Sequence, residues 1–175
     1  TPPPMLVAGR LTIDCADAAA AAPRAVANFV SLCAGDQGVS KDGVALTYAG
    51  VPFHRVVSGF VVQGGDVAHG RDPRLAGSGT ASTYGGKFKD EAGGLKLKHS
   101  IGTVGMANSG KHGNASQFYI ALGPAAAACD GKHVVVGQVV GDPGGVLARV
   151  DAEAGSPSGA PRVRVAVGDC GVCVE

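Results

Sequence analysis

Twenty-nine glycines and ten prolines are spread through 175 residues, more than a fifth of the chain. Glycine weakens helix and strand interiors, and proline interrupts both. Such density excludes long helices and coiled coils and predicts many short elements joined by turns. Hydrophobic residues make up 45% of the chain, enough for a real core, and the length suits one domain spanning 1–175.

Charge narrows the function classes. Lys and Arg number 15 and Asp and Glu 14, a formal net charge of +1, so no polyanion is attracted in bulk and nucleic-acid binding is not expected. No apolar run reaches the ~18 residues of a membrane span. Thr1 to Met5 lacks the basic-then-apolar layout of a signal peptide, and position 1 is not Met, which predicts a trimmed chain. Five irregularly spaced cysteines do not make a secreted disulfide framework. A cytosolic or nuclear compartment is the expectation.

Along the chain, Met5 to Ile13 reads as an opening strand. The alanine run Ala18 to Ala22 reads as a loop leading into a helix. That helix starts at Pro23, carries Val26, Phe29, Val30 and Cys33 on one stripe, and stops at Gly35. Phe53 to Val57 and Val61 to Gln63 read as strands broken at Ser58-Gly59. Thr103 to Ala107, Gln117 to Leu122 and Val134 to Val140 are further strands. Val146, Leu147 and Val150 mark a second helix, and Pro161 to Val167 alternates as a strand with one wet face. Gly64 to Gly86 is a long glycine-rich loop without the spacing of a phosphate loop. Short strands, two helices and long loops suggest a β-barrel with helical plugs.

In the strand Phe53 to Val57, Arg55 shares a face with Phe53 and Val57, while His54 and Val56 face the other way. An arginine among apolar residues must reach water or find an acceptor, and Gln63 returns on the neighbouring strand. The segment alone leaves open whether Arg55 is a working group or merely snorkels at a strand edge.

Five blocks, FHRVVSGFVVQGGD, YGGKFKDE, IGTVGMANSG, NASQFYIALG and DGKHVVVGQVV, stand in this order. With them the chain resembles the cyclophilins, the cyclosporin-binding peptidyl-prolyl cis-trans isomerases. The resemblance implies a closed eight-stranded antiparallel β-barrel capped by two helices. It implies rotation about Xaa–Pro bonds in proline-containing peptides and proteins, without cofactor, metal or nucleophile. It makes Arg55 the donor to the proline nitrogen and Gln63 its holder. Phe60, Val61, Tyr119 and Cys129 take proline-pocket positions, and Phe118 lies on the core side of the same strand. His54, Ala107, Asn108, Gln117 and His133 fall at substrate-contacting positions.

This chain departs from the family at the rim. Ala128-Cys129 stands where the family usually has Trp-Leu, and the sequence contains no Trp. Catalysis is expected to be retained and cyclosporin binding to be weak. The altered rim also motivates a second reading, a docking subunit of a larger spliceosomal or axonemal assembly. Ser40 to Leu46 resembles an extra loop of some plant-type members, in which Cys33 and Cys170 match two cysteines proposed to pair. A redox pair and two inert thiols both remain open. Cys170-Gly171-Val172-Cys173 has dithiol spacing but no helix N-terminus to activate it. The lysine pairs Lys87/Lys89 and Lys96/Lys98 read as a solvated face.

Overall fold

The computed structural model describes residues 7–173. Its centre is one antiparallel sheet of six strands: β1 (Thr12–Asp14), β2 (Arg55–Val57), β3 (Val61–Gly64), β4 (Thr103–Asn108), β5 (Asn114–Ala121) and β6 (Val135–Gly141). They lie in the order β1-β6-β4-β5-β3-β2. Among the described residues the edge strands β1 and β2 do not pair, so hydrogen bonds do not close the sheet. The expected closed, eight-stranded ladder is therefore seen as a six-stranded sheet.

Among the described residues four α-helices surround it, where the sequence suggested two: α1 (Ala16–Ala21), α2 (Pro23–Ala34), α3 (Ala92–Lys96) and α4 (Val146–Ala154). The alanine run read as a loop is helical, and so is a second alanine-rich tract. The first is α1 and the second a 3₁₀ segment, Pro124–Cys129. Alanine is the strongest helix former, which decides the matter once a tract is docked. Helix α2 begins at Pro23 and ends on Gly35 at φ +68°, as its sequence signals require. Its N-terminus is capped from far along the chain. The Glu91 carboxylate accepts from Arg24 N at 3.0 Å and Ala25 N at 2.9 Å, where the helix dipole favours negative charge.

Two expected strands shrink. The opening strand is only Thr12–Asp14, and residues 5 and 6 of the expected span lie outside the described residues. Pro161 to Val167 forms one isolated bridge, Pro52 with Ala166, although Phe53 N still donates to Val165 O at 2.8 Å. Its alternation holds where contacts permit: Val165 and Val167 pack on the core, and Val163 is exposed.

The strand alternation divides the sheet into two working faces. Val56, Val62, Val104, Met106, Phe118 and Ile120 point into the main core with α2 and α4. There Phe118 meets Phe29, Tyr48 and Phe53 edge-on or tilted, at ring separations of 4.8 to 5.9 Å. The opposite face carries a separate small cluster of Val61, Ala107, Tyr119 and Cys129, with Phe60 packed against it.

Candidate active site

The register of the sheet assembles this second cluster. Arg55 on β2 pairs with Gln63 on β3, Gln63 with Tyr119 on β5, and Tyr119 with Gly105 on β4. Four adjacent strands thus deliver three side chains, Arg55, Gln63 and Tyr119, and the bare Gly105 in one row. The tight turn at Gly59, φ +69°, returns the chain so that Phe60 sits beside Arg55. The guanidinium lies 5.9 Å from the Phe60 ring centre.

Above this row lies a cleft of about 240 Å³ whose lining includes Arg55, Phe60, Gln63, Tyr119, Cys129 and His133. Val61, Ala107 and Asn108, also expected from the sequence, complete the lining. His54 and Gln117 stand behind it. Ala128 does not line the cleft; it is exposed on the 3₁₀ segment beside Cys129, which does. Cys33 and Cys170 sit apart, half-buried against the main core.

A chain of amides fixes the arginine. Arg55 Nη1 donates to Gln63 Oε1 at 3.1 Å, and Gln63 Nε2 donates to Gln117 Oε1 at 3.4 Å. Gln117 Nε2 then donates to Gly77 O at 2.9 Å and Gly79 O at 3.1 Å. Arginine can only donate and carbonyls can only accept, so both ends impose the same orientation on the two amides between them. The loop is in turn held by Asp66, a fully buried carboxylate that accepts from His69, Gly77 and Gly79 N–H groups at 2.9 to 3.0 Å. His54 abuts Gly77, with its Nδ1 buried and without a partner.

The cleft is otherwise neutral. Burial pushes His133 below its ordinary pKa, against the opposing pull of the Met106 carbonyl 2.9 Å from its Nδ1. Burial also lowers His54, with nearby Asp66 opposing and Arg55 assisting. The thiol of Cys129 is raised, chiefly by burial. Arg55 is thus the fixed positive charge beside an apolar slot.

Three contributors escaped the sequence reading. His99 Nε2 lies 2.7 Å from the Tyr119 hydroxyl, and His99 Nδ1 lies 2.8 Å from Asp130 Oδ1. Gly105 leaves the space that this hydroxyl occupies; a Cβ there would overlap it. The available signal was a histidine among the residues leading into a buried strand, which must find a partner.

The sequence profile described as cyclophilin type peptidyl-prolyl cis-trans isomerase/CLD matches residues 5–172. The chain belongs to the cyclophilin family. It is similar to peptidyl-prolyl cis-trans isomerase CYP21-1 of Arabidopsis thaliana, at 44% identity over 150 residues. That match covers 85% of this cyclophilin and 63% of the Arabidopsis protein, so the chain spans somewhat under two thirds of that relative's length. Among the described residues, no helix is long and apolar enough to cross a membrane.

Proposed function

We propose that this cyclophilin, as one domain over residues 1–175, catalyses cis–trans rotation about Xaa–Pro bonds in peptides and proteins. The observation that carries the reading is the guanidinium of Arg55, anchored by Gln63 in a cleft that also presents Phe60, Val61, Ala107 and Tyr119. Amide resonance sets the barrier near ~20 kcal/mol, and uncatalysed exchange takes roughly 10–100 s. Twisting the bond breaks conjugation and leaves a lone pair on the proline nitrogen, which can then accept a hydrogen bond. Arg55 donates to that lone pair and makes no comparable bond to the planar amide, so it lowers the barrier without tightening the ground state. Four decades of acceleration need about 5.5 kcal/mol. One charge-assisted bond, together with a ring held in place, is of that order.

Phe60, Val61, Tyr119 and Cys129 hold the proline ring. Ala107, Asn108 and His133 meet the peptide before it, and His54 and Gln117 support from behind. Cyclosporin is read as a weak ligand, because Ala128 offers little surface at the rim. That altered rim, Ala125 to Cys129, also favours a second role as a docking subunit of a larger assembly. Cys33 and Cys170 are read as resting thiols, since burial is the first cause raising both. The five unpaired cysteines fit the cytosol or nucleus. The bridge between Pro52 and Ala166 is read as part of the family's eight-stranded closure. The test of the main reading is a protease-coupled assay on a short Ala-Pro-Phe peptide. Turnover no faster than the uncatalysed rate would reject it.

A further inference from the structure

Tyr119 forms part of the cleft wall, yet its hydroxyl is held beneath the cleft. Tyr119 is 2% exposed, and its hydroxyl meets His99 Nε2 at 2.7 Å, with the weakly bonding Cys129 thiol also in reach. The side chain of His99 is itself completely buried. Its other ring nitrogen faces Asp130 Oδ1 at 2.8 Å, and the same oxygen accepts the His99 backbone N–H at 2.8 Å. A carboxylate at Nδ1 holds the proton there, which leaves Nε2 as an acceptor and makes the tyrosine hydroxyl the donor. The polarity of the chain Tyr119–His99–Asp130 is therefore set from its carboxylate end. The His99 ring also stacks on the Tyr119 ring at 5.8 Å and 21°, while His133 meets that ring edge-on at 5.4 Å.

We propose that His99, oriented by Asp130, is a positioning residue that holds Tyr119 as a fixed wall of the proline-binding cleft. The proposal rests on the isomerase reading for its consequence and on the hydrogen-bond chain for its mechanism. A buried hydroxyl deprived of its acceptor must find another or reach water. The cleft that its own ring lines offers such space. Turning that way places the ring where the proline would sit. Arg55 and Gln63 are on other strands and keep their bond. The loss therefore falls on peptide binding and spares the rotation of bound peptide.

The experiment pairs kinetics with a readout independent of activity. His99→Leu should raise KM about fivefold or more and change kcat by less than about twofold. Combined with Tyr119→Phe, it should return KM to that of Tyr119→Phe alone, because no hydroxyl remains to be tethered. His99→Gln, whose amide oxygen can accept from the hydroxyl, should stay within about twofold of the parent KM. The chain has three tyrosines and no tryptophan, so tyrosine fluorescence can be read directly. With the exposed Tyr84 replaced by Phe, His99→Leu should increase acrylamide quenching. An unchanged KM and quenching in His99→Leu would overturn the proposal. So would an elevated KM that persists in the double variant, or a His99→Gln as impaired as His99→Leu. If His99→Leu fails to fold, the double variant and His99→Gln decide. If the parent chain shows no isomerase activity, the functional reading fails separately, and unchanged quenching alone overturns the tether.

Discussion

Gln117→Leu cuts the amide chain behind Arg55 while keeping the side-chain volume. The change removes three hydrogen bonds, those to Gly77 O at 2.9 Å and Gly79 O at 3.1 Å and that from Gln63 Nε2 at 3.4 Å. At about 1 kcal/mol net for each, and with two loop carbonyls left unpaired, the loss of stability is about 2–3 kcal/mol. For a chain of this size that lowers Tm by roughly 5–10 °C. Catalysis should fall as well. Gln63 still accepts from Arg55 at 3.1 Å, but nothing then fixes the orientation of its amide. A guanidinium that samples several positions loses part of its bond to the twisted amide. We expect kcat/KM to fall about tenfold, or about 1.4 kcal/mol. The protease-coupled assay measures it, with thermal melts run in parallel. A double-mutant cycle with Gln63→Ala separates positioning from stability, because two links of one chain should not add. If Tm falls and kcat/KM does not, or if the two effects multiply, Gln117 is a structural residue only.

Three further outcomes follow from the geometry. Ala128→Trp should add roughly 150–250 Å² of aromatic surface at the rim. It should tighten cyclosporin more than tenfold while changing peptide turnover little; unchanged inhibition, or nanomolar inhibition of the parent, would contradict this. Burial lowers His54 and His133, so the unfolded chain binds more protons than the folded one just below the ordinary histidine range. Stability should be full above about pH 6.5 and decline toward pH 5; melts that are flat or that rise on acidification would remove the basis for neutral histidines in the cleft. Burial, with Cys170 and Cys15 adding, pushes Cys33 up to about 12, so it should react slowly with disulfide reagents at pH 8 while the exposed Cys173 reacts first. Ready formation of a Cys33–Cys170 disulfide under mild oxidant would reverse the reading of resting thiols.

The cleft was legible in the sequence where local pattern decides position. Alternation in Phe53 to Val57, a break at Ser58-Gly59 and the return through Gln63 suffice to put Arg55 opposite Gln63. The same period places Gln117 and Tyr119 on one face of β5 and Phe118 on the other. What no local pattern encodes is long-range pairing. Glu91 caps a helix 66 residues earlier, and Asp130 reaches His99 across 31. Pro161 to Val167 has a strand's alternation, yet its neighbour is the irregular segment 50–53, where Pro52 has no N–H to give, and only one bridge forms there. Alanine tracts carry no apolar stripe, so their helical preference is silent until docking reveals it. Ala128 was placed at the rim by resemblance; it is exposed on the 3₁₀ segment, next to the cleft-lining Cys129.

The central claim is that one fixed arginine drives the rotation, and Arg55→Ala tests it most directly. Its kcat/KM for the Ala-Pro-Phe peptide should fall about a hundredfold or more, about 2.7 kcal/mol of lost transition-state stabilisation. The melting temperature should stay close to the parent's, because Arg55 packs outside the main core. An Arg55→Ala protein with parental kcat/KM would contradict the account.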